Sequence, residues 1–169
     1  MMLIQMHGEP GSGKTTLARA LAPRVPSIHL DKDVIMTAIM KARIPREVAG
    51  PASYETIWDL ARGLLEQGHS VIVDSPAYWP LVEERGQGIA RSLGIRYRMI
   101  ETRCGDAAEI ERRLRSRQGL PTNPRGRQDW LATPGTREPS RDRLTLDTSL
   151  AVPELVAQAL EYLVARVDG

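Results

Sequence analysis

The sequence has little of what several protein classes depend on. It contains no phenylalanine, only 4% aromatic residues and a single cysteine, Cys104. One cysteine cannot form an internal disulfide, and we find no long uninterrupted apolar run and no basic-then-apolar leader. We therefore expect a reducing, cytoplasmic location without membrane association. The core should be filled by Leu, Ile, Val, Ala and Met.

The chain also has little excess charge of either sign. Its 23 Lys and Arg residues against 21 Asp and Glu residues give a formal net charge of +2, so bulk electrostatics does not favour nucleic acid as a partner. A length of 169 residues, with 41% hydrophobic and 26% charged residues, is typical of one compact domain. We therefore predict a single domain over residues 1–169, whose oligomeric state the sequence does not indicate.

Short β-type runs alternate with helical patterns along most of the chain. Strands are predicted at 2–7, 27–30, 71–74, 96–102 and 143–147. Helices are predicted at 15–22, 33–41, 54–67, 81–93, 107–118 and 154–166, the third with Ser53 as its N-cap. This alternation predicts an α/β fold with a parallel sheet covered by helices on both faces. Residues 119–141 interrupt it with Pro, Gly, Thr and Arg, and we interpret them as a lid.

A glycine-rich octet follows the first predicted strand. Residues 8–15 read Gly-Glu-Pro-Gly-Ser-Gly-Lys-Thr and fit G-x-x-x-x-G-K-[ST] in full, between a strand and a helix. Such a loop turns backbone N–H groups inward around a triphosphate, whereas a chance glycine turn would lack the flanking strand and helix. The predicted nucleotide-binding residues are Gly8, Gly11, Ser12, Gly13, Lys14, Thr15 and Thr16. Thr15 is expected to bind Mg²⁺, and Lys14 to act on the β- and γ-phosphates of ATP.

Acidic residues follow the predicted strands, at the sheet edge where α/β proteins bind ligands. Asp33 is the predicted general base for an acceptor hydroxyl, with Asp31 as the alternative, although Asp33 is also suited to be the N-cap of the next helix. Asp74 ends the run Val-Ile-Val and is a predicted Mg²⁺ ligand, unless it is merely a polar residue that ends a buried strand. We assign no chemistry to Asp147, which suits a turn, or to His7, which we interpret as structural or as a neighbour of the site.

The predicted helix 107–118 carries several arginines. Arg113 and Arg117 lie beside its apolar stripe, whereas Arg112 and Arg115 point away from it and suit a solvated, salt-bridged face. Arginines on the inner border are suited to neutralise a phosphoryl group in transfer or to stack on adenine. We therefore predict catalytic roles for Arg113 and Arg117.

Taken together, these motifs resemble a known family, the small P-loop kinases labelled AAA_33 or AAA family ATPase, which are related to polynucleotide kinases, chloramphenicol phosphotransferase and zeta toxins. The resemblance rests on the octet 8–15, Leu-Asp-Lys-Asp at 30–33, Val-Ile-Val-Asp-Ser at 71–75, Arg-Leu-Arg-Ser-Arg at 113–117 and Leu-Asp-Thr at 146–148. It implies a P-loop NTPase three-layer sandwich with a five-stranded parallel sheet, ATP and Mg²⁺. It also implies Asp33 as the base, and Arg113 and Arg117 as lid arginines.

Three functions are compatible with these residues. The first is an ATP-dependent kinase that phosphorylates a hydroxyl of a small molecule. The second is a polynucleotide 5′-hydroxyl kinase, which commonly carries an arginine three residues after the base. Met36 occupies that position here and favours a less anionic acceptor. The third is a regulatory nucleotide-binding ATPase, against which Asp33, the inward arginines and the lid argue.

Overall fold

Strands and helices alternate along the chain, as the sequence predicts. The structure, a computed structural model, describes residues 1–76, 80–116 and 142–165. The strands are β1 (Met2–His7), β2 (Ser27–Asp31), β3 (Ser70–Asp74), β4 (Arg96–Arg103) and β5 (Leu144–Asp147). The helices are α1 (Lys14–Leu21), α2 (Lys32–Lys41), α3 (Arg46–Glu66), α4 (Pro80–Leu93), α5 (Ala107–Ser116) and α6 (Val152–Val164). The predicted lid, 119–141, and Arg117 lie outside the described residues.

The five strands form one parallel sheet in the order β2-β3-β1-β4-β5. All six residues of β1 are buried, without the alternation of a half-exposed strand, because β1 is central and helices cover both faces. This confirms the predicted α/β class with a five-stranded parallel sheet. In such a sheet all the carboxyl ends lie at one edge, where a ligand site is expected.

Each face of the sheet has its own apolar core. On one face, β1 and β3 side chains pack against α1 and α6, through residues such as Leu17, Leu21, Ile72, Leu155 and Leu163. The opposite face packs against α3 and α4, through residues such as Leu3, Ile57, Trp58, Val73 and Ile89. Among the helices in the described part of the chain, none has the length and apolar character needed to cross a bilayer.

Helix α3 begins earlier than the sequence predicts. It starts at Arg46, directly after Pro45, and runs through Pro51, so the predicted N-cap Ser53 lies inside the helix. There the Ser53 hydroxyl donates to the Gly50 carbonyl, at 2.6 Å, instead of capping the helix. Pro51 removes one hydrogen bond near the N-terminus, and burial of Ala49 shows that tertiary packing holds this turn in place. The prediction of Ser53 as the N-cap is therefore wrong.

Candidate active site

The glycine-rich loop joins the end of β1 to the first turn of α1. Gly8, Gly11 and Gly13 have φ angles of 135°, 83° and 95°, which favour glycine because other residues rarely adopt them. Gly13 is the N-cap residue of α1 and has no side chain to cap it, so the first-turn backbone N–H groups of this helix face the loop. The predicted P-loop backbone is thus built by residues 8–13.

Packing from β4 and α5 fixes the shape of this loop. A Cβ atom at Gly8 would overlap the Thr102 carbonyl oxygen, and one at Gly11 would lie 3.0 Å from Cγ2 of Ile110. Ser12 is fully buried, with its hydroxyl 2.7 Å from the Thr102 hydroxyl, and its N–H donates to the Glu9 carbonyl at 3.1 Å. Both polar groups of Ser12 therefore brace the loop.

Lys14 lies over the loop that precedes it. Its Nζ atom donates to the carbonyl oxygens of Gly8, at 2.7 Å, and Glu9, at 3.0 Å. These contacts hold the ammonium group above the backbone that a P-loop wraps around phosphate. The predicted role of Lys14 in binding a triphosphate stays a prediction.

Thr15 and Asp74 are brought together at the edge of the sheet. The Thr15 hydroxyl lies close to the Asp74 carboxylate, which is buried, and Nε2 of His29 lies 3.3 Å from Oδ2 of Asp74. Burial acts to raise the pKa of Asp74. The hydrogen bond from His29, the Lys14 charge and the Thr15 hydrogen bond outweigh burial, so the pKa is lowered and the carboxylate is ionised.

Asp31 and Asp33 lie at the end of β2 but have different partners. Asp31 pairs with Asp74 in the β2–β3 register and is the N-cap of α2, where it accepts the Asp33 N–H at 2.9 Å. Burial and the charge of Asp74 raise the pKa of Asp31. The Asp33 carboxylate instead contacts Nζ of Lys32 at 3.0 Å. Asp31, and not Asp33, is therefore the helix cap, which corrects the capping alternative for Asp33.

Arg113 projects from α5 toward the P-loop. Its guanidinium donates to the hydroxyl and the carbonyl of Thr148, at 3.1 and 2.9 Å, and to Glu109 at 2.7 Å. Thr148 in turn packs beside Gly13. Arg112 and Arg115 are 70% and 75% exposed and pair with glutamates of their own helix, so their predicted outward orientation is confirmed.

A cavity of about 420 Å³ lies beside α1 and connects these groups. The P-loop and α1 contribute Gly11, Gly13, Lys14, Thr15, Thr16, Leu17 and Arg19. The rest of the lining consists of Arg113, Thr148, Leu150, Val152 and Leu155. Basic side chains, loop amides and apolar side chains in one lining suit a ligand that has a charged part and a flat apolar part.

Several neighbours of the site carry no sequence signal that would have revealed them. His29 and Thr102 belong to no motif, and only the strand register and helix packing bring them to the site. Lys32 and Thr148 lie within the segments 30–33 and 146–148, but those segments do not indicate which contacts they make. Asp147 accepts the Ser149 N–H at 2.9 Å, in keeping with the turn role considered for it. His7 is buried beside Glu101, and burial lowers its pKa to about 4. A structural role therefore suits His7.

The parallel sheet and the glycine loop at its edge define the class of protein, an α/β protein of the P-loop type. The family model AAA domain, designated AAA_33, matches residues 3–129, and the chain belongs to this family. A search among curated protein sequences gives no significant match.

Solved structures with the same fold are small P-loop kinases. A proposed kinase from Chloroflexus aurantiacus is 22% identical with a TM-score of 0.76, over 96% of this chain and 95% of its own. The APS kinase of Mycobacterium tuberculosis, in complex with AMPPNP and APS, is 18% identical with a TM-score of 0.72, over 97% and 98%. A gluconokinase from Sinorhizobium meliloti is 19% identical with a TM-score of 0.67, over 95% and 90%. These similarities extend over nearly the whole chain and show the fold.

Proposed function

We propose that the chain is an ATP-dependent phosphotransferase that moves the γ-phosphate of ATP to a hydroxyl group of a small molecule. One observation carries the proposal: the P-loop, the strand ends that bear Asp31 and Asp74, and the first turn of α2 with Asp33 meet at one edge of the sheet. Phosphoryl transfer depends mainly on positioning and charge neutralisation, and this edge provides residues for both. The kinases that share the fold support this reading.

ATP would bind with its phosphates in the P-loop and its base in the apolar part of the cavity. Backbone N–H groups of the loop and the first turn of α1, including those of Thr15 and Thr16, would meet the phosphates, with Lys14 as the counter-charge. Leu150 and Val152 line the same cavity and would contact the base. Arg113 also lines this cavity and would contact the nucleotide. The catalytic role of Arg117 remains a prediction.

Thr15 and Asp74 would hold Mg²⁺. Both are oxygen ligands of the kind this ion prefers, and they are already within hydrogen-bonding reach of each other. In the described ranges 1–76, 80–116 and 142–165, no group of three or more His, Cys, Asp or Glu side chains is arranged to hold a metal ion. Mg²⁺ needs few protein ligands when it is bound largely through substrate phosphates and water. When bound, the ion would neutralise charge on the phosphates.

Asp33 would accept the proton of the acceptor hydroxyl. Its carboxylate is partly exposed and is not used as the helix cap, a role that Asp31 fills. Lys32 holds one oxygen of Asp33 at 3.0 Å and limits the orientations of the carboxylate. Met36, one turn along α2, is buried and carries no charge, so it would not recognise an anionic acceptor.

A screen of acceptors for label from γ-labelled ATP tests the proposal. We expect at least one small alcohol, such as a sugar, sugar acid, nucleoside or antibiotic, to take up the label. Asp33→Asn should then lower transfer by about 10²- to 10⁴-fold, the usual contribution of a general base. ATP binding by the Asp33→Asn variant, measured by calorimetry, should persist. Asp59→Asn, at an exposed position of α3, is the matched control and should transfer normally.

Other outcomes of the same screen would overturn parts of the proposal. Full transfer by Asp33→Asn would move the base to Asp31 or elsewhere. Label on a 5′-hydroxyl oligonucleotide, with salt-sensitive binding, would identify a polynucleotide kinase. Hydrolysis of ATP that no added acceptor changes would instead favour a regulatory ATPase.

A further inference from the structure

His29 lies in β2, at the edge of the sheet, and reaches across to the neighbouring strand. It pairs with Ile72 in the β2–β3 register, so its side chain lies on the same face as that of Asp74, two residues further along β3. Nε2 of His29 is 3.3 Å from Oδ2 of Asp74. Helix α1 covers this face, as Ile72 shares a core cluster with Leu17. His29 therefore approaches Asp74 on the face that also receives Thr15.

The Asp74 carboxylate is held from two sides. Its side chain is 3% exposed, with Nε2 of His29 at 3.3 Å from Oδ2 and the Thr15 hydroxyl close by on α1. A carboxylate with only one donor can rotate about its terminal bond, whereas two donors on separate elements fix its plane. His29 thus ties the strand-end carboxylate to β2 while Thr15 ties it to α1.

We propose that His29 is a positioning residue that orients the Asp74 carboxylate for the divalent cation bound with the nucleotide. This inference rests on the proposed function, in which Thr15 and Asp74 hold that cation. Neighbours of metal ligands that fix their orientation typically change metal affinity when they are removed. If the His29 contact only stabilised the fold, its removal would lower the stability of the protein and would not selectively weaken binding of the cation.

Metal affinity in the full chain tests the role of His29. Mn²⁺ would be titrated into protein saturated with the non-hydrolysable ATP analogue AMPPNP, with bound metal followed by electron paramagnetic resonance. We expect His29→Leu to weaken Mn²⁺ binding by about 10-fold, the lower end of what such neighbours contribute. AMPPNP affinity in EDTA, measured by calorimetry, should not change, because His29 does not line the nucleotide cavity.

Two further variants sharpen the test. His29→Gln keeps an N–H donor and should recover part of the Mn²⁺ affinity. His69→Leu makes the same change at an exposed histidine before β3 and should bind Mn²⁺ like the unmodified chain. Unchanged Mn²⁺ affinity in His29→Leu would overturn the inference, as would an equal loss of AMPPNP affinity in EDTA.

Asp74→Asn separates failure of this inference from failure of the proposed metal site. If Asp74→Asn weakens Mn²⁺ binding and His29→Leu does not, the metal site stands and the role of His29 is wrong. If Asp74→Asn leaves Mn²⁺ affinity unchanged, the placement of the cation itself is wrong, and the inference about His29 fails with it.

Discussion

Gly11 shows how a single residue couples the phosphate loop to its surroundings. Its φ angle is 83°, and an added Cβ would lie 3.0 Å from Cγ2 of Ile110 and 3.2 Å from Cγ of Leu114. Both contacts come from α5, the helix that also carries Arg113. Backbone conformation and helix packing therefore both require glycine at this position.

Gly11→Ala should destabilise the protein and weaken nucleotide binding. Alanine at a positive φ costs about 1–2 kcal/mol, and α5 must also shift to make room for the methyl group. Urea unfolding and calorimetry with AMPPNP would measure the two effects. Gly63→Ala, inside α3 with no atom within 4 Å of the added Cβ, is the control and should stabilise by about 0.5–1 kcal/mol. Wild-type stability in Gly11→Ala would contradict this account.

Residues within motifs were easier to predict than the residues that support them. The spacing of Gly8, Gly11 and Gly13 predicts the loop because only a few backbone shapes satisfy that pattern. His29 reaches Asp74 through strand register, which no local pattern specifies, whereas Lys32 contacts its own sequence neighbour Asp33. The functional assignments of Asp33, Asp74 and Arg113 remain predictions, although the structure places them around one edge of the sheet.

At the level of helices and strands, the existence and order of the elements were predicted more accurately than the residues at which they begin. Periodic apolar residues determine whether an element forms, and five strands and six helices appear among the described residues in the predicted order. The start of α3 was missed because Gly50 and Pro51 are typical helix breakers. Packing of buried Ala49 overrides that local preference, and such tertiary contacts are not visible in a local window.

Helix α4 offers a direct test of how tightly the elements pack. A Cβ at Gly86 would lie 2.9 Å from Cε2 of Tyr97 and 3.0 Å from Cη2 of Trp58, whereas one at Gly88 would meet nothing within 4 Å. We expect Gly86→Ala to destabilise by about 1–3 kcal/mol, because α4 must move away from β4 and α3. Gly88→Ala should stabilise by about 0.5–1 kcal/mol, since it only improves helix propensity. Equal effects in urea unfolding would show that α4 packs loosely at Gly86.

Across the whole molecule, buried ionisable groups are divided between the two faces of the sheet. Asp74 and His29 lie on the face that α1 covers, as the β2–β3 register shows. His7 and Glu101 are register partners and project from the opposite face, where Arg143 donates to Glu101 at 2.7 Å. Folding therefore removes two sets of titratable groups from water, and the stability of the protein should depend on pH.

His7 should dominate the loss of stability in mild acid. Burial lowers its pKa from 6.5 to about 4, with the charges of Lys14 and Arg143 adding to the effect and Glu101 opposing it. Between these two values the unfolded chain binds a proton that the folded chain does not, so stability falls as the pH falls from 6.5 toward 4. The full contribution is about 3 kcal/mol and is present above pH 6.5. Asp31 has the opposite sign, because its raised pKa means that the folded chain holds a proton more tightly.

His7→Gln isolates this contribution, since glutamine does not titrate and Asp31 affects both proteins alike. We expect the free energy of unfolding to change less with pH in His7→Gln than in the unmodified chain, whatever the absolute cost of the substitution. Urea unfolding at a series of pH values across this window measures both slopes. His69→Gln, at an exposed position directly before β3, is the matched control and should keep the original slope. If His7→Gln lost stability as steeply as the unmodified chain, the acid sensitivity would have to come from other groups, and His7 would not be buried in its neutral form.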